Sequence, residues 1–123
     1  MITGCLLAES LAVGADLKVP DLVVTRLGRQ DVSRGVVPTQ PDVWTFVNFE
    51  APDERADELA SVLATMLLAD DGWYADFRVG DDHVVVFSGR VFRYRVGDQA
   101  GRAEAADYGR RAGTPERQLD WGD

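Results

Sequence analysis

The sequence predicts a single α+β domain, residues 1–123, built on a mainly antiparallel sheet with two helices packed on one face. Three observations predict it. Short apolar runs recur between Gly, Pro and Asp clusters, as strands do between turns. Two stretches carry helical spacing instead, one after each group of strands. The loops between neighbouring strands are short, so hairpins should outnumber crossovers. The resulting element order is β-β-β-α-β-β-β-α with a short terminal turn. A chain of 123 residues buries roughly 65–70% of its unfolded surface, enough to fold without disulfide or metal.

Residues 2–13, "ITGCLLAESLAV", read as a strand that is apolar on both faces. "VGAD" is turn material, and Pro20-Asp21 opens a second extended run over 22–32. Residues 33–41, "SRGVVPTQP", have no period and form the loosest stretch. In 42–50, "DVWTFVNFE", Val43, Thr45, Val47 and Phe49 share one face, while Trp44 and Phe46 take the other. Apolar groups on both sides predict an interior strand.

Residues 51–72 are the clearest helix. Pro52 suits its first position, and Asp53, Glu54, Asp57 and Glu58 complement the positive end of its dipole. Leu59, Val62, Leu63, Met66 and Leu67 form one apolar stripe. Asp70-Asp71-Gly72 should fray the last turn, because acid opposes the negative end of the dipole.

The stretch 72–98, "GWYADFRVGDDHVVVFSGRVFRYRVGD", reads as a three-stranded meander over 73–79, 83–88 and 91–96. A two-residue loop at Gly89-Arg90 would pair Phe87 with Phe92 and Val85 with Tyr94. A three-residue loop, Gly80-Asp81-Asp82, would pair Phe77 with Val85 and gather Trp73, Phe77, Phe87, Phe92 and Tyr94 beneath the helices. The opposite face would then carry Tyr74, Asp76, Arg78, Val84, Val86, Arg93 and Arg95.

Residues 97–113 form the second helix. Asp98 is its N-cap and Gly113 its left-handed terminator. Ala103, Ala105, Ala106, Gly109 and Ala112 allow close packing on a sheet. In 114–121, Thr114 can cap a final turn with Pro115 at its first position, and Leu119 and Trp121 should tie the tail to the body.

The net charge of −8 argues against nucleic acid and against anionic membrane, since both require a basic footprint. No run approaches the roughly 20 apolar residues of a membrane span. Cys5 is the single cysteine, so no disulfide forms within the chain, and a reducing cytoplasm is the expected location. "ITGC" resembles a lipoprotein cleavage motif but lacks the basic and apolar segments a signal peptide needs before it.

Chemical motifs are sparse. Asp70, Asp71, Asp76, Asp81, Asp82 and His83 match no spaced metal-ligand set, and Asp81-Asp82 fits hairpin chemistry. Nothing places His83 beside Cys5, and Ser10, Ser33, Ser61 and Ser88 lack a nucleophile-elbow context. No metal, cofactor or catalytic residue is therefore assigned.

The segments "WYADF", "VVVFSGRVFRYRVGD", "GRAEAADYGRRAG" and "PERQLDW" resemble a family of small uncharacterised actinobacterial proteins. The resemblance covers the C-terminal half and implies a bacterial, cytoplasmic α+β domain. That family has no established activity, so it transfers no catalytic residues.

The expected function is a non-enzymatic small acidic binding protein, such as an adaptor, inhibitor or immunity-like protein, with a protein partner. Its expected site is the sheet face bearing Tyr74, Asp76, Arg78, Arg93 and Arg95, where rigid strands would present Arg on an acidic molecule. Two alternatives stand beside it. One is a small enzyme or ligand-binding domain with a pocket near that face. The other is a homodimer formed through Val84 and Val86. The acidic helix start, Asp53 to Glu58, could also steer a basic partner.

Overall fold

The structure, a computed structural model, describes residues 1–122. Six strands form one antiparallel sheet: β1 (Ile2–Leu7), β2 (Val23–Asp31), β3 (Val43–Ala51), β4 (Tyr74–Val79), β5 (Asp82–Phe87) and β6 (Arg90–Arg95). The spatial order is β2-β3-β1-β4-β5-β6. With the helices α1 (Ala56–Met66) and α2 (Gln99–Ala112), this is the α+β domain and element order that the sequence predicts. β3 is interior, as its two-sided apolar pattern requires.

Local chemistry sets the ends of the elements. β1 stops at Leu7, because Ala8–Ser10 turns as a 3-10 helix. Pro52 is extended rather than helical, and Asp53–Arg55 makes a 3-10 turn before α1 begins. α1 ends at Met66, well before Gly72, and Asp71 sits at a positive φ of 59°. Asp98 does cap α2, accepting from the Gly101 amide at 3.1 Å, and Gly113 ends it at φ 106°. Thr114 caps nothing: its buried hydroxyl donates to the Gly72 carbonyl at 2.7 Å.

The helices do not share a face. Leu59, Leu63 and Ala60 of α1 pack with Ile2, Phe49, Phe77, Val84 and Val86. Ala105 and Ala106 of α2 pack with Val85, Phe87, Phe92 and Tyr94. Side chains alternate along a strand, so these are opposite sides of one sheet. The sheet has a core on each side, and β5 lies between the two helices with five of its six residues buried.

The β4–β5 register differs from expectation for the same reason. The loop is Gly80-Asp81, and Phe77 pairs with Val84, not Val85. Every β4 side chain therefore takes the other face, and Phe77 lies on the side of Arg93. With both faces buried, moving Phe77 across the sheet costs no apolar burial. Turn chemistry then decides, since Gly80 at φ 56° suits the first position of a two-residue II′ loop. The β5–β6 loop is Ser88-Gly89 instead of Gly89-Arg90, so Val85 faces Phe92. That slip moves the pairing by an even step and leaves the faces of β5 and β6 as expected.

Candidate functional site

The five residues expected to form one surface are divided between the two faces. Tyr74, Asp76 and Arg78 of β4 lie on the α2 side; Arg93 and Arg95 of β6 lie on the α1 side. Arg93 does not meet Asp76. Its Nε donates to Asp82 at 2.8 Å, with Asp57 at 3.7 Å from the same guanidinium. Val84 and Val86 are 2% and 0% exposed beneath α1, which closes the homodimer route through them. The Arg-bearing face is thus a helix-covered core with arginines at its margin.

On the other face, burial is uneven. α2 covers β5 and β6, and the C-terminal tail crosses β4. Among the described residues, no helix covers β1 and β3 on this side. The result is a groove of about 420 Å³, floored by Cys5 and Leu7 of β1, Trp44 and Phe46 of β3, and Tyr74 and Asp76 of β4. All three tryptophans of the chain, Trp44, Trp73 and Trp121, contribute to its lining. Trp44 stacks edge-on with Trp73 at 5.3 Å, and Tyr74 with Trp121 at 5.1 Å, so the aromatic walls are set by one another.

The tail forms one wall and is firmly held. Arg117 Nε donates to the Gly35 carbonyl at 3.0 Å, and Gln118 Nε2 donates to it at 2.9 Å, which fastens the 33–41 loop across the end of the groove. Tyr74 donates its hydroxyl to the Gln118 carbonyl. Burial, with help from the charges of Asp120 and Asp76, pushes the Tyr74 phenol well above its usual range.

Beneath the floor runs a buried polar chain. Trp121 Nε1 donates to the Tyr94 hydroxyl at 2.8 Å, and the Tyr94 hydroxyl lies 3.4 Å from His83 Nδ1. His83 Nε2 meets Asp76 Oδ2 at 2.8 Å. With the His83 proton on Nε2, every donor in this series points the same way and reaches an acceptor. His83 is 0% exposed, and a buried imidazole needs both nitrogens satisfied in this manner. Burial raises the Tyr94 phenol above its usual range and so keeps it a donor. The chain holds Asp76 at the groove floor with one carboxylate oxygen committed to His83.

Sequence reasoning missed this network. Its signal was present: a two-residue loop at Gly80-Asp81 puts Asp76 and His83 on one face. Cys5 is the ladder partner of Asp76, so the carboxylate stands between the thiol and His83. Burial first, and the Asp76 charge second, push the Cys5 thiol up, the opposite of what a reactive thiolate requires. Among the described residues, no group of three or more His, Cys, Asp or Glu could hold a metal ion, and no helix is long and apolar enough to cross a membrane.

Set against known proteins, the chain matches no family model, no curated protein and no solved structure. The geometry defines a class only: an α+β domain with a preformed aromatic groove on a half-covered sheet face.

Proposed function

We propose that this protein is a non-enzymatic binding protein whose ligand seats in the aromatic groove. One observation carries the reading. The uncovered part of the sheet face is a concave, mainly apolar cleft with five aromatic residues and a few fixed polar groups, the form that ligand sites take. At about 420 Å³ it falls in the roughly 300–1,000 Å³ range of such sites. Its walls are ordered before any ligand arrives, through ring–ring contacts and the tail's hydrogen bonds. A preformed site loses less entropy on binding. Asp76 and Tyr74 remain in the proposed site; Arg78 lies on the same face in a shallower depression that shares Cys5 and Asp76 with the groove. Arg93 and Arg95 have no part in it.

The three groove tryptophans make the test direct. N-phenyl-1-naphthylamine, a neutral apolar fluorophore, should bind saturably at one site and quench tryptophan emission. Phe46→Glu puts a charge on the groove floor and should abolish that binding, while Leu27→Glu, on the exposed strand β2, should leave it intact. Equal binding by the two variants, or no saturable binding by the native chain, overturns the reading.

A further inference from the structure

From the groove's aromatic walls and carboxylates we infer that its ligand is a small organic ammonium ion carrying an apolar body. This inference rests on the groove being the binding site and names the class of ligand it takes. Two carboxylates face the groove, Asp76 from the floor and Asp120 from the tail wall. Asp76 commits Oδ2 to His83, while Oδ1 has no protein donor among the described residues. Among the described residues, the Asp120 carboxylate accepts only the long contact from Tyr74, at 3.3 Å. Arg117 is the one cationic residue in the lining, and its guanidinium is directed at the Gly35 and Val36 carbonyls. Acceptors are therefore open in the groove, whereas its cation is occupied by the loop.

The aromatic lining points to the same charge. A ring face attracts a cation, and an ammonium ion held by several rings is the usual ligand of an aromatic cage. On this side of the sheet ring faces already hold cations, in the groove wall and outside it: Arg102 lies 5.2 Å from the centroid of Trp121, a wall residue, and Arg90 lies 4.7 Å from that of Phe92. Trp44 and Phe46, on the groove floor, have no such partner among the described residues. The Cys5 thiol and the Tyr74 and Tyr94 phenols feel the negative field of Asp76, which adds to the upward shift of each. An ammonium ion between Asp76 and the indole rings would neutralise that field. Leu7 and Phe46 would take its apolar body.

Three probes with one phenylethyl body separate charge from shape: 2-phenylethylammonium, 2-phenylethanol and phenylacetate. Binding is read by titration calorimetry and by the indole N–H resonances of the three tryptophans. The ammonium ion should bind about tenfold more tightly than the alcohol, consistent with a desolvated cation–π and carboxylate contact, and phenylacetate should bind most weakly. Asp76→Asn keeps an oxygen for the His83 N–H and removes the charge. It should lower ammonium affinity about tenfold and alcohol affinity by much less. If that variant does not fold, Asp120→Asn and the fall of ammonium affinity with added salt serve in its place. Equal affinity for all three probes overturns the cation inference and leaves the groove reading standing. Tighter binding of phenylacetate also overturns it. Absence of binding by any probe, together with no binding of the neutral fluorophore, removes both.

Discussion

Strands β2 and β5 are both rich in valine, yet their environments are opposite. β5 has five buried residues of six, whereas β2 has eight exposed residues of nine, with Leu27 at 69% and Val23 at 58% exposure. β2 mixes its apolar residues with Thr, two Arg, Gln and Asp, and its position in the sheet leaves even the apolar ones exposed. β5 lies between two helices, and β2 is an edge strand beyond the reach of both. β2 also carries the usual defences of an edge: a register shift between Val24 and Arg26, a glycine, and two arginines. The groove lies between these extremes. It exists because α2 and the tail cover half of one face, and among the described residues no helix covers the rest.

The comparison implies a steep gradient of mutational cost across the sheet. At its buried end, Phe87→Ala should lose about 3–5 kcal/mol, because its ring is 2% exposed and packs with Phe92, Tyr108 and Trp121. Denaturant titration measures this, and a loss below about 1 kcal/mol would place Phe87 outside the core. Deleting 119–123 should cost about 3 kcal/mol, since Leu119 and Trp121 are both buried and Trp121 anchors the hydrogen-bond chain. Unchanged thermal unfolding of the shortened chain would show that the tail does not brace the fold.

Two glycines sharpen the contrast further. A Cβ on Gly4 of β1 would meet the Phe77 Cβ at 2.5 Å and the Asp76 carbonyl at 2.8 Å. The atoms nearest to a Cβ on Gly28 of β2 would belong to the end of the Arg26 side chain, the first at 2.7 Å. Gly4→Ala should therefore cost about 1–3 kcal/mol by overpacking. Gly28→Ala should stay within about 0.5 kcal/mol, because a surface guanidinium moves aside. Equal midpoints for the two variants would remove the gradient.

The remaining two effects are smaller. Tyr74 and Tyr94 have phenols raised above their ordinary value of 10.0. Above that pH the unfolded chain loses protons that the folded chain keeps, so stability should hold up to about pH 10 and fall beyond it. Tyr74→Phe should flatten this alkaline decline. An identical decline in that variant would detach it from the tail contact. Least of all, Leu27→Ser on β2 should change stability by no more than about 0.5 kcal/mol, despite replacing a large apolar residue. A larger loss would mean that a second molecule covers the edge in solution.

The sequence by itself determined the element order, the second helix with its caps at Asp98 and Gly113, and the two-sided apolar character of β3. It also determined the face partition of β5 and β6, and the docking of Leu119 and Trp121. These follow from local chemistry or from unambiguous alternation. Tertiary structure alone decided three things: which face β4 presents, where the helices lie, and that a groove remains between them. The physical reason is that period-two alternation identifies a buried face only when the other face is wet. "HVVVF" is buried on both sides, so apolar burial could not choose between a two- and a three-residue loop. Gly80 chose the shorter one, and that single step moved Asp76 onto His83, parted it from Arg93, and put Tyr74 beside Trp121.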